Sequence, residues 1–244
     1  MVLLGNLSET LWFGSNRKTL TIMQNSPNKN SYNIITFLKF GQEKYMKDLF
    51  YNGDLFFNSI QFFRKFEDEE LRGDKYEGVN KIWNLPSGTF EIPKLNYKGN
   101  YISIHLRESY TNVVGNIYSL YCISSHGWNS PNDFQIDHKN KNFGSHCVII
   151  KDLPKFISLI ETKLQEMNLQ FRHGLIDYYD KEKVNRKITL FEKPLEFEYQ
   201  KEFRFYIDRD SEDPIKITIG SLEEIAELHK TEGVVETMKL QMKK

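Results

Sequence analysis

The stretch Pro194–Asp208, PLEFEYQKEFRFYID, sets the terms on which the rest of the chain is read. At a period of two, Leu195, Phe197, Tyr199, Phe203, Phe205 and Ile207 fall on one side, interrupted only by Lys201. Glu196, Glu198, Gln200, Glu202, Arg204, Tyr206 and Asp208 fall on the other. This alternation predicts a β-strand with an apolar and a polar face. Gln200 and Glu202 are then expected to point the same way, roughly 7 Å apart along the strand. Arg204 follows on that face and is placed to neutralise Glu202. An exposed face of alternating charge is the plain reading. Upstream, however, Glu196 and Glu198 lack a partner and repel one another, a pattern met where carboxylates carry out chemistry. Those two are assigned to the solvated end of the strand.

Earlier in the chain, Asn33–Phe40 (NIITFLKF) predicts a first strand, followed by a helix over QEKYMKDLFY that stops at Asn52–Gly53. Leu55–Phe57 predicts a short strand that turns into a helix after Asn58–Ser59. Further strands are expected at Tyr101–Leu106, Ile117–Ser124, His146–Ile150, Gly174–Tyr179, Lys187–Phe191 and Ile215–Ile219. The stretch DLPKFISLIETKLQEM has Pro154 near its start and an apolar side, which predicts a helix. SLEEIAEL opens with Ser221 and Glu224 at capping-box spacing, which predicts another near the C-terminus. Helices early and strands in the middle make the fold class α+β. Residues 1–33 read as an N-terminal extension or linker, and 34–244 as a single domain.

The chain has 244 residues, 39% of them hydrophobic, enough to bury a core. Lys+Arg and Asp+Glu balance at 33 each, so bulk electrostatics does not drive nucleic-acid coating, although a local basic cleft is compatible with the count. Cys122 and Cys147 are too few for a disulfide framework and are expected to be buried free thiols. No signal-peptide pattern opens the sequence, and no run reaches the ~18 apolar residues of a membrane span. The expected setting is the cytoplasm, with no membrane partner.

Three groups of residues could carry chemistry. Gln200 and Glu202 form the first. Asn58 and Ser59, where a strand meets a helix, form the second; they either cap the helix or present N–H groups to an anion. The third is the acidic run Glu67, Asp68, Glu69, Glu70, Asp74 and Glu77, either a solvated loop or the carboxylates of a metal-dependent nuclease. The six histidines lack zinc-site spacing, and no phosphate-loop, dinucleotide or nucleophile-elbow motif occurs.

ITFLKFG, LFFNSIQFFRKFEDEELRGDKYEG and YQKEFRFYI, in that order, resemble a large uncharacterised bacterial family reading roughly lYKYr, lyfs-x-x-x-FnD and yEkEwR. The same order is similar to that of the ADP-ribosyltransferases. That resemblance implies a pair of mainly antiparallel sheets around a central cleft, with helices from the N-terminal half and a C-terminal helix. It implies NAD as substrate, with Glu202 hydrogen-bonding the ribose 2′-hydroxyl and stabilising the oxocarbenium ion as nicotinamide leaves. Gln200 would orient the acceptor nucleophile. Ser59 would support the nicotinamide ribose, Lys39 would contact the phosphates, and Arg64 or Arg72 could assist. The chain departs from that pattern in offering Lys39-Phe40-Gly41 where an Arg or His is usual, and Asn-Ser in place of Ser-Thr-Ser. A toxin or phage-defence role is implied, with a protein, RNA or DNA acceptor and an antitoxin or chaperone as a further partner. Besides the nuclease, the alternative is a non-catalytic module of such an assembly, expected to show an exposed apolar patch and a closed-off Glu202–Arg204 pair.

Overall fold

In the computed structural model, residues 20–23, 31–65, 75–112, 114–124 and 134–240 are described. In chain order the elements are β1 (Leu20–Met23), β2 (Ser31–Gly41), α1 (Glu43–Asn52), β3 (Asp54–Ser59) and α2 (Ile60–Lys65). Then come β4 (Val79–Leu85), β5 (Gly88–Ile92), β6 (Tyr97–Tyr101), β7 (Ile104–Ser109), β8 (Asn116–Ser124) and β9 (His146–Ile150). The helix α3 (Leu153–Glu166) precedes β10 (Gln170–Leu175), β11 (Asp177–Tyr179), β12 (Arg186–Lys187), β13 (Glu192–Pro194) and β14 (Glu202–Asp208). The chain closes with β15 (Ile215–Thr218), β16 (Ala226–Lys230) and α4 (Thr231–Thr237). The fold is mixed α+β, and no described helix is long and apolar enough to cross a membrane.

By internal contacts the chain divides into two compact units, one of Met1–Leu55, Leu120–Met167 and Ile217–Lys244, the other of Phe56–Ser119 and Asn168–Lys216. In the first, β2 pairs antiparallel with β1, with the end of β8 and with β9, and β9 pairs with β16. Leu38, Tyr121, Ile123, Ile136, Cys147, Val234 and Val235 form one of its cores. Helix α3 buries Leu153, Phe156, Ile157, Ile160 and Leu164, the stripe its sequence spacing demands. Asp152 caps it by accepting the Lys155 N–H at 3.1 Å. Gly53 ends α1 in the left-handed conformation, φ 69°, and its N–H returns to carbonyls of the last turn.

In the second unit, β10 pairs antiparallel with β14 from Gln170 opposite Asp208 to Leu175 opposite Phe203. β3 ends against the start of β8, with Asn58 opposite Ile117 and Ser59 opposite Asn116. β12, β4 and β7 form a three-stranded antiparallel sheet, β5 and β6 a hairpin, and β11 and β13 a short parallel pair. One core here gathers Val79, Ile82, Tyr179 and Ile188, and another Ile60, Ile117 and Tyr206.

Three expectations are corrected. The stretch 194–208 is not one strand: Leu195–Gln200 winds into a 3₁₀ helix that stops at Lys201 in the left-handed region, φ 40°. Only Glu202–Asp208 is strand, and Glu202 to Ile207 are all buried, so it has no polar face. Alternation upstream came from a helix with its own buried Phe197 and exposed Glu196 and Glu198. Second, SLEEIAEL is not a helix. Ser221 bonds the N–H and carboxylate of Glu223 in a turn, and Ala226–Lys230 continues as β16; the C-terminal helix is α4, one segment later. Third, Tyr101–Leu106 and Gly174–Tyr179 are each split between two strands, and Lys187–Phe191 is strand only at Lys187.

Candidate functional site

The second unit places Glu77, Lys193, Glu202 and Arg204 in one buried group, none more than 8% exposed. Arg204 enters from β14 between Phe203 and Phe205. Its Nη1 and Nη2 donate to the two carboxylate oxygens of Glu77 at 2.7 and 2.9 Å, and its Nε to Glu202 Oε1 at 2.7 Å. Nη1 also donates to the Leu190 carbonyl at 2.5 Å. All three guanidinium nitrogens are thus engaged, in the forked geometry that suits Arg to carboxylates. Lys193, at the centre of the short parallel pair and opposite Tyr178, sets its Nζ 2.7 Å from Glu202 Oε2 and 3.9 Å from Glu77 Oε2. Two cations against two anions leave the group neutral, the condition under which charges survive burial.

Glu202 is the first residue of β14, delivered by the turn at Lys201. The Ser119 hydroxyl donates to Oε1 at 2.6 Å, and the Glu202 N–H donates to the Tyr178 hydroxyl at 2.9 Å. Burial alone would raise the Glu202 carboxyl. Arg204 and Lys193 outweigh it and hold the group well below the usual carboxylate range. Burial and then the neighbouring Glu202 charge push the Tyr178 hydroxyl far up, so it stays protonated. An ionised carboxylate offers about four acceptor positions. Among the described residues, Ser119 and Arg204 fill two on Oε1 and Lys193 one on Oε2, which leaves Oε2 with room for one further donor.

Gln200 does not share a strand face with Glu202, because it ends the 3₁₀ helix. The two are joined through a cation instead: Lys193 Nζ donates to Gln200 Oε1 at 2.9 Å, while Gln200 Nε2 donates to the Tyr199 hydroxyl at 3.3 Å. Gln200 is half-buried.

The other sequence candidates stand as follows. Ser59 is buried, and its Oγ accepts the Phe62 N–H at 3.1 Å, the capping role for α2. Asn58 is half-buried on β3. Arg64 donates to the Tyr110 carbonyl at 3.1 Å. Lys39 lies half-buried on β2 of the first unit. Arg72 and the carboxylates Glu67, Asp68, Glu69, Glu70 and Asp74 lie outside the described residues. Among the described residues no group of three or more His, Cys, Asp or Glu could hold a metal; Glu77, the last of the acidic run, faces Arg204.

Ser119, Tyr178 and Lys193 went unnoticed in the sequence, and Glu77 was noticed only for its neighbours. A usable signal exists in EFRFYI: aromatics on both sides of a short strand mean both faces are buried. Glu202 and Arg204 must then find partners, and Arg204 needs a second acid. The chain matches no protein-family model, no curated protein and no solved structure.

Proposed function

We propose that the chain is an NAD-dependent ADP-ribosyltransferase that uses Glu202 to stabilise positive charge at the ribose and Gln200 to orient the acceptor. The observation that supports it is the state of Glu202: ionised, rigidly held by Arg204 and Ser119, and with one acceptor position left on Oε2. A ribose 2′-hydroxyl donating there would bring the carboxylate close to the charge that develops as the bond from C1′ to nicotinamide breaks. Preorganised negative charge of this kind lowers the barrier without rearrangement. Glu77 and Arg204 act as positioning residues by fixing the carboxylate. The acceptor's nucleophile forms the new bond to C1′ as the bond to nicotinamide breaks and releases its proton to solvent, and the Gln200 amide, anchored by Lys193, holds that nucleophile in place.

A second reading is favoured by the near-complete burial of Glu202, 3% exposed: a neutral charge cluster that specifies the fold of a binding module. Incubation with NAD labelled in the adenylate moiety and a cell lysate separates the two. The transferase reading expects label on an acceptor with the parent chain, and at least a hundredfold less with Glu202→Gln, a loss in the usual range for one stabilising group. Gln200→Ala should retain NAD binding while losing transfer. Absence of both NAD binding and transfer in a folded parent sinks the transferase reading and leaves the binding module.

A further inference from the structure

The strands β4–β5 and β6–β7 form one long hairpin arm of the second unit. Trp83 stands opposite Leu106, Leu85 opposite Ile104, Gly88 opposite Tyr101 and Ile92 opposite Tyr97, a single register from Lys81 to the tip after a shift next to Val79 at the base. The distal pair β5–β6 is exposed almost throughout, with only Gly88, Gly99 and Tyr101 half-buried. Of the fourteen exposed large hydrophobic residues among those described, seven lie between Leu85 and Leu106. So much apolar surface in one segment marks a surface that meets something.

Its aromatic side chains have a particular setting. Phe90 stands opposite Gly99 and Tyr101 opposite Gly88. A Cβ on Gly99 would come within 2.5 Å of the Phe90 ring, and one on Gly88 within 2.7 Å of the Tyr101 ring. Each ring therefore covers a glycine instead of interlocking with a side chain. Phe90 and Tyr97 are 44% and 53% exposed, with centroids 6.0 Å apart. Nearer the base, Lys81 lies over the Trp83 ring, 4.1 Å from its centroid. Rings backed by glycine form a platform for planar groups, and bases stack on such platforms with little regard to sequence.

The charge on the arm is predominantly positive. Val79–Ser109 with β12 carries six Lys or Arg against two Glu, in a chain whose net charge is zero. Lys187 faces Lys81 directly across β12–β4, with Glu108 on the far side of Lys81. Two lysines opposite each other are unfavourable in the free protein and favourable against a polyanion. Lys94 stands at the tip, and Lys98 pairs there with Glu91 in an exposed ion pair too weak to hold it from a competing phosphate.

We infer that this arm binds single-stranded nucleic acid, with bases stacked on Phe90, Tyr97 and Tyr101 and the phosphates drawn to Lys81, Lys94 and Lys187. The proposal shares no residue with the Glu202 group and holds or fails independently of the transferase reading.

The test is fluorescence anisotropy of the full chain with labelled oligothymidylate and oligouridylate of about 15 nucleotides, at about 50 and 200 mM salt. Labelled polyglutamate serves as a polyanion without bases. Oligonucleotide binding that weakens with salt is expected, with a log–log slope of about −2 for three phosphate contacts. The Phe90→Ala/Tyr97→Ala double variant, both positions being exposed, should fold normally and bind roughly tenfold or more weakly. Lys94→Glu should make the slope shallower. Three results overturn the proposal: no binding at low salt, equal binding of polyglutamate, or binding indifferent to loss of the rings. A parent that self-associates through the arm, seen as a concentration-dependent mass abolished in the double variant, assigns the surface to a second copy and overturns it as well.

Discussion

Arg204 and Glu77, 127 positions apart in the chain, meet in a two-pronged ion pair, with Arg204 wholly buried and Glu77 nearly so. Glu202, two residues before Arg204, takes the third guanidinium nitrogen. A charge removed from such a group leaves its partners buried without compensation.

Arg204→Met should therefore destabilise the chain by about 3–5 kcal/mol, the range for breaking a buried pair from one side. Glu77→Gln, which keeps shape and some hydrogen bonding, should cost about 1–3 kcal/mol. Urea unfolding followed by circular dichroism reads both. Arg204→Met within about 1 kcal/mol of the parent would show that the cluster is not fully formed in solution.

Glu202→Ala cannot serve as a clean catalytic variant, contrary to what a strand with a solvated polar face implies. It opens a buried charge cluster and should shift the unfolding midpoint downward together with any activity. Glu202→Gln keeps the volume, so a loss of transfer larger than its loss of stability identifies chemistry.

Acid should act through the same carboxylate. Its native pKa lies below the ordinary glutamate value of 4.5, because Arg204 and Lys193 outweigh burial. A carboxylate depressed in the native state contributes stability that is full above its unfolded pKa and is lost as pH falls through the native one. The urea midpoint should thus drop as pH goes below about 4.5, and part of that dependence should vanish in Glu202→Gln. An unchanged pH profile would place the Glu202 charge in water.

Cys122 and Cys147 are free and buried, and burial pushes both thiols far above their usual range. Neither should react with an aromatic disulfide reagent at neutral pH in the native state, and both should react in denaturant. Rapid native reaction of either would contradict its burial.

Two glycines should respond in opposite directions. A Cβ on Gly53, φ 69°, would lie 2.0 Å from the Gly220 carbonyl oxygen, so Gly53→Ala should destabilise by about 1–3 kcal/mol. Gly233, exposed within α4, has nothing within 4 Å of the same position, so Gly233→Ala should stabilise by about 0.5–1 kcal/mol. Thermal melts of the two variants check the pair.

Local periodicity by itself determined much of the element list: β2, α1, the step from β3 into α2, β8, β9 and α3 all lie where their apolar spacing and stop residues put them. Cys burial was readable for the same reason, since both thiols sit in apolar strand runs. The stretch 194–208 shows where this ends. A 3₁₀ helix with Phe197 inward and glutamates outward reads at period two like a strand, and only the left-handed turn at Lys201 separates it from the true strand behind it. Partnership was the other thing hidden. Nothing between Glu77 and Arg204 in the linear chain links them, because the forces that join them arise once folding has removed both from water. Burial makes an unpaired charge intolerable, and tertiary structure alone decides which distant acid answers it.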